Sequence, residues 1–184
     1  MADNSMSKIL ILYHTTDGQT LKICRRIQQV LEAAGDALTF LPIADAGRAD
    51  LPAFDMIVIG ASIRYGRHNP AVVDFVERHR ALLDARPNAF FSVNLVARKP
   101  GKNRPETNPY VRKFLKRISW RPKAVAVFAG KLDYPRYGSF DRWIIRMIMA
   151  ITGGPTDPAA VVEYTDWAEV DAFAGLIADM KNPA

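Results

Sequence analysis

The chain has 184 residues, 49% of them hydrophobic and 24% charged, which is enough to bury a full core without disulfides or a structural metal and excludes a small stapled scaffold. Its one cysteine, Cys24, excludes a disulfide framework and a thiolate metal cluster and points to a reducing compartment. The net charge of +6 is unevenly spread: between Arg98 and Arg146 fourteen cations face three carboxylates, a surplus of eleven that leaves the rest of the chain five negative, so this stretch calls for an anionic partner.

Met1 to Ser7 is polar and carries no apolar signal core, so residues 1–7 read as a disordered lead-in, with Met6 an alternative start. Ile9 to Leu12 is a continuous apolar run, the pattern of a strand buried on both faces of a parallel sheet. Leu21 to Ala34 reads as a helix with Ile23, Cys24, Ile27, Val30 and Leu31 on its core face, closed by Gly35. Between them Thr15, Thr16, Asp17, Gly18, Gln19 and Thr20 gather hydroxyls and free amides at the positive end of a helix dipole, a setting for phosphate. The turn lacks both the lysine of GxxxxGK[ST] and the glycines of GxGxxG. It therefore suits a phosphomonoester that stays bound, as in FMN, better than one that is transferred. The same letters also fit a capped helix after a buried strand.

Ala37 to Leu41 is a second strand ended by Pro42, and Asp55 to Ala61 a third that leads into Ser62, Ile63, Arg64, Tyr65 and Gly66. Strands alternating with helices predict an α/β fold, a doubly wound five-stranded parallel sheet in the order 2-1-3-4-5. Such a sheet has crossovers without hairpins, and the turns beyond its carboxyl ends converge on one site. Tyr65 is placed to stack on a flavin or simply to be exposed in a turn. Pro70 opens a helix with Val72, Val73, Phe75 and Val76 inward. Asn88 to Leu95 is the fourth strand, whose exit at Ser92, Val93, Asn94, Leu95 and Val96 supplies a third wall, with backbone and amide groups facing the polar edge of the ring. His68 and His79 have no partner at metal-ligand spacing, and no metal is expected.

Ala97 to Pro109 is a long basic loop before the helix Tyr110 to Ile118, and Ala124 to Gly130 is the fifth strand. An insertion spans about 131–160 within one domain covering 8–181. Its segment Phe140 to Ile151 is apolar almost all round. At about 1.5 Å per residue it reaches roughly 18 Å, too short for a bilayer core of about 30 Å. It suits an interfacial helix, with Trp143, Ile144, Met147, Ile148 and Ile151 toward lipid and Arg142 and Arg146 toward anionic headgroups, or equally a helix packed on the domain or on a second copy. Val161, Val162 and Tyr164 resume the last strand, and Asp166 caps a closing helix to Met180.

TTDGQT, IGASIRYG, FFSVNLVARKP, RKFL, WRP, the YPRY turn, the apolar helix followed by TGG, and YTDW together resemble one branch of the flavodoxin superfamily, the bacterial quinone-dependent protoporphyrinogen oxidases of haem biosynthesis. The resemblance runs from Lys8 to about Met180. It implies bound FMN, oxidation of protoporphyrinogen IX, and transfer of electrons to menaquinone or ubiquinone at the cytoplasmic side of the inner membrane. On that view Arg98 and Lys99, with Lys102 and Arg104, receive the substrate propionates, and Tyr134 and Tyr137 cover the macrocycle. No side chain stands out as a general base, and assembly into a homo-oligomer is left open. The rivals are an electron-carrier flavodoxin, whose docking surface is usually acidic, and a soluble NAD(P)H:quinone reductase. The basic stretch matches no nucleic-acid recognition motif, so no nucleic-acid partner is expected.

Overall fold

The computed structural model describes residues 6–181. Its strands are β1 (Lys8–His14), β2 (Ala37–Pro42), β3 (Met56–Arg64), the two-residue β4 (Arg67–His68), β5 (Asn88–Asn94) and β6 (Ala124–Ala129). Five run parallel in the order β2-β1-β3-β5-β6, as the alternation of elements predicts, while β4 turns back antiparallel on the end of β3.

The continuous apolar runs reflect helices on both sheet faces. Side chains alternate along a strand, so Ile9, Ile11, Met56 and Val58 join one core with α1 (Gln19–Ala33) and α6 (Trp167–Asp179). Leu10, Leu12, Ile57, Ile59 and Phe90 join the other core. It is covered by α2 (Pro70–Arg78), the short α3 (Arg80–Asp84) and α4 (Pro109–Arg117). Each fully buried Ile or Leu contributes about 1.5–3 kcal/mol, and the centre of β1 buries four in succession. Gly60 lets the Phe91 ring lie across β3: a Cβ there would come within 2.2 Å of it.

Three expectations change. β3 does not stop at Ala61 but runs through Ser62, Ile63 and Arg64. Tyr65 and Gly66, with φ of 49° and 74°, then make a two-residue turn into β4, pairing Ile63 with His68 and Arg64 with Arg67. Two left-handed residues in succession match the twist of a tight hairpin, so this crossover contains one after all. Val161 and Val162 do not rejoin the main sheet. The chain leaving β6 through Gly130 continues past the sheet end as β7 (Lys131–Asp133), and β8 (Val161–Glu163) pairs antiparallel with that extension. The helix between them is α5 (Ser139–Ile151). Residues 1–5 of the expected lead-in lie outside the described residues, but Ser7 is already engaged: its amide reaches Asp36 Oδ1 at 3.4 Å and its carbonyl accepts from Ala37 at 2.9 Å.

The basic loop between β5 and α4 is anchored from within. Leu95–Arg98 forms a single 3-10 turn, started when the Asn94 side chain accepts the Ala97 amide at 3.0 Å. Asn108, fully buried, donates to Asn94 Oδ1 (3.1 Å) and to the Lys102 carbonyl (2.8 Å), and its own carbonyl oxygen caps α4 at the Tyr110 and Val111 amides. One side chain thus ties the loop, the exit of β5 and the start of α4 together.

Candidate functional site

The carboxyl ends of β1, β3 and β5 open into a cavity of about 290 Å³, at the lower end of the range for small-molecule sites. Its floor is the turn before α1. Gly18, at φ +86°, takes the left-handed conformation that lets the chain swing from β1 into the helix. It offers no side-chain cap, and the first intrahelical bond runs from the Lys22 amide to the Gly18 carbonyl at 3.1 Å. The amides of Gln19, Thr20 and Leu21 therefore precede any helical acceptor. Thr20 is fully buried, and its Oγ1 has no hydrogen-bond partner among the described residues. A buried hydroxyl without a partner is uncommon and marks a place where a ligand atom completes the bonding.

The remaining predicted turn residues divide. Thr15 lines the cavity and accepts the Gly18 amide at 3.0 Å, while Thr16 lies outside it, 3.3 Å from the Ser62 hydroxyl. Asp17 lines the cavity, 3.6 Å from the Arg64 guanidinium; burial pushes its carboxyl up, and Arg64 draws it part of the way back. Gln19 also lines the cavity, and its side chain serves as a strut: its Nε2 donates to Thr165 Oγ1 (2.8 Å), which donates to the Ala129 carbonyl (2.7 Å).

Ser62, Ile63, Arg64, Tyr65 and Gly66 all reach the cavity from the β3–β4 hairpin, and Val93, Asn94, Leu95 and Val96 line it from β5 and its exit. Ser92 does not. It is buried behind the wall, 2.9 Å from His68 Nε2 and 3.4 Å from the Asn94 Nδ2 that donates to it. The Asn94 amide is therefore committed to protein partners, leaving the backbone of this segment to face a ligand.

The basic and aromatic residues depart furthest from expectation. Arg98 lines the cavity, but its guanidinium donates to the Leu95 carbonyl (3.0 Å) and to the Thr152 carbonyl and hydroxyl (3.3 and 2.9 Å), binding the end of α5 rather than waiting for an anion. Lys99 lies outside the cavity lining. Tyr134 is fully buried in a small core with Leu132 and Met149, its hydroxyl bonded to the Pro155 carbonyl at 2.7 Å, so it does not cover a ligand. Tyr137 does line the cavity.

Residues that sequence reasoning missed form the roof. Ile144, Ile145, Ile148 and Met149 of α5 face the cavity, with Asp141 at its mouth. Ile144 thus faces the cavity, and Ile148 borders it while remaining 44% exposed. Arg142 donates to the Tyr134 and Tyr137 carbonyls (both 3.1 Å) and Arg146, itself exposed, donates through Nε to the Thr156 carbonyl (2.8 Å), so both also fasten α5 to the fold.

A phosphate-ready turn at the carboxyl edge of a 2-1-3-5-6 sheet agrees with the family comparison: residues 10–159 match the model of a flavodoxin domain. The chain belongs to the flavodoxin-domain family. Among relatives of this flavodoxin-domain protein, the protoporphyrinogen IX dehydrogenase [quinone] of Escherichia coli (strain K12) is 47% identical over 178 residues, covering 95% of this chain and 97% of its own. The protein of the same name from Leishmania major is 47% identical over 168 residues, 91% of this chain and 73% of that one. Oxidised flavodoxin 1 from Bacillus cereus superposes with a TM-score of 0.54 at 14% identity, over 94% of this chain and 97% of that one. A flavodoxin from the domain Archaea gives 0.53 at 14%, over 96% and 99%.

A flavodoxin domain holds FMN, and the residues present fit it. The orphaned Thr20 hydroxyl, the Thr15 hydroxyl and the three first-turn amides of α1 would hold the phosphate. Tyr65, 63% exposed at the rim, and the backbone of 93–96 would flank the ring.

Thr20→Val removes the unpartnered hydroxyl at constant shape, so the melting temperature of the apoprotein should hold while FMN affinity, followed by flavin fluorescence quenching, falls about tenfold or more. A second expectation concerns His68, packed at 4.7 Å against Phe114. Burial pushes its imidazole down from 6.5 to about 3, with the nearby His14 adding to the shift. The unfolded chain binds this proton below about pH 6.5 and the folded chain only below about 3, so stability should fall as pH drops through that window, by at most about 1.4 kcal/mol per pH unit. Urea midpoints measured from pH 7 to 4 should decline less steeply in His68→Phe than in the wild type.

Proposed function

We propose that this protein oxidises protoporphyrinogen IX to protoporphyrin IX with FMN as cofactor and a membrane quinone, menaquinone or ubiquinone, as electron acceptor. The observation that carries the reading is the make-up of the cavity: a phosphate cradle on one side and an apolar roof from α5 on the other. That combination suits a flavin facing a broad apolar substrate, and relatives named for this reaction share 47% of residues over nearly the whole chain. Bound FMN supplies two-electron chemistry, and six hydrogens leave the porphyrinogen in three such rounds. The chain's own part is to anchor the phosphate at Thr15 and Thr20, to hold the ring between Tyr65 and the 93–96 backbone, and to exclude water with Ile144, Ile145 and Met149.

The outer face of α5 supports peripheral attachment to the cytoplasmic side of the inner membrane. Phe140, Trp143, Met147 and Ile151 are 69%, 63%, 45% and 79% exposed. No helix among the described residues is long and apolar enough to cross a membrane. An amphipathic helix lying in the interface, helped by the surplus of cations between residues 98 and 146, meets an anionic leaflet and brings the cavity roof to the layer that holds quinone.

Anaerobic stopped-flow tests the chemistry: protoporphyrinogen IX should bleach the enzyme-bound flavin and a quinone analogue should restore its colour. Bleaching by NADPH but not by the porphyrinogen would overturn the reading in favour of a soluble reductase. For the membrane face, Trp143→Glu with Ile151→Glu should lower co-sedimentation with anionic vesicles by tenfold or more. Undiminished sedimentation would remove α5 from the lipid contact.

A further inference from the structure

Three cations reach the cavity wall, and two are spent on the fold. Arg98 is bonded to carbonyls and a hydroxyl at both ends of its guanidinium, and Lys131 Nζ pairs with Asp133 at 2.8 Å. Arg64 is different: both of its charged partners are carboxylates from other segments, Asp17 at 3.6 Å and Asp141 of α5. Asp141 also accepts the Tyr65 hydroxyl at 2.5 Å. Tyr65 is the one non-glycine residue with positive φ among the described residues, a conformation that costs of order 1 kcal/mol or more and recurs at ligand-binding positions. The Arg64 guanidinium lies 5.3 Å from the Tyr65 ring centroid, so the two side chains form one unit: a terminal nitrogen of Arg64 meets one oxygen of Asp141 and the Tyr65 phenol meets the other, while the second terminal nitrogen faces Asp17.

We propose that Arg64 and Tyr65 form the receptor for a carboxylate of the substrate, and that Asp141 fills it as a built-in stand-in until the substrate exchanges with it. The identity of the substrate rests on the porphyrinogen reading above; the receptor itself rests on this geometry. Replacing one carboxylate by another conserves charge and the paired contacts to Arg64 and Tyr65, whereas recruiting Arg98 would strip hydrogen bonds from the end of α5. Asp141, once released, remains in the first turn of α5, where the helix dipole favours a negative charge. The other polar ties of α5, from Arg142 to the Tyr134 and Tyr137 carbonyls and from Arg146 to the Thr156 carbonyl, do not involve Arg64. The exchange therefore loosens the helix at the cavity mouth alone.

The test is equilibrium binding of protoporphyrin IX and of its dimethyl ester to the full-length, flavin-loaded protein, alongside turnover of the two porphyrinogens. The free acid should bind better than the ester in the wild type. Arg64→Gln should weaken the free acid by about tenfold and leave the ester unchanged, so that the preference collapses. Arg64→Lys, which keeps the charge without the fork, should recover part of it, and Asp141→Asn should strengthen the free acid severalfold without altering the ester. FMN affinity should hold in all three variants. A preference retained in Arg64→Gln, a weaker free acid in Asp141→Asn, or an equal loss of FMN that places Arg64 on the cofactor phosphate would each overturn the proposal. A wild type that turns over neither porphyrinogen, yet binds the free acid through Arg64, would reject the reaction and keep the receptor.

Discussion

A deficit of acceptors at the start of α1 organises this molecule. The left-handed Gly18 begins the helix without a side-chain cap, and the buried Thr20 hydroxyl is left unbonded beside amides that precede the first helical turn. Donors in that state are costly inside a protein unless something negative arrives to meet them. The parallel sheet places this deficit at its carboxyl edge, beside the exits of β3 and β5, so whatever satisfies the turn also lies against both neighbouring walls.

The second organising element is α5, a helix with apolar side chains on opposite faces. Ile144, Ile145 and Met149 close the cavity while Phe140, Trp143 and Ile151 are exposed on the outside. Its arginines fasten the helix to backbone carbonyls around the β7–β8 ribbon. Separate parts of the chain thus carry the cradle and the roof, and Arg64 with Asp141 joins them across the mouth.

How much of this was legible in the sequence depended on whether the signal was local. The first strand, its hydroxyl-rich turn and the helix after it were, because their signals follow one another within about thirty residues, and the parallel sheet followed from strands alternating with helices along the chain. The hairpin after β3 was not foreseen: SIRYG reads as a loop, and only the left-handed pair Tyr65 and Gly66 shows where the chain reverses. The inward face of α5 was hidden because its apolar residues serve two surfaces, and the helical period alone does not say which of them faces the cavity. Arg98, Arg142 and Arg146 looked like free cations because their acceptors are backbone carbonyls, which no letter records. Tyr134 and Tyr137 sit three residues apart in one short turn, yet only the second reaches the cavity.

The Gln19 strut has a consequence for how the protein is made. The first turn of α1 is braced by Thr165, 146 residues further along the chain, and the helix body is held by Arg26 on Asp171 of α6 in a doubly bonded pair at 2.6 Å. Those partners lie 146 and 145 residues after the residues they brace. A growing chain can assemble its early strands, but the nucleotide cradle gains its final geometry only once the segment through Asp171 has emerged and packed on α1, so flavin loading waits for α6.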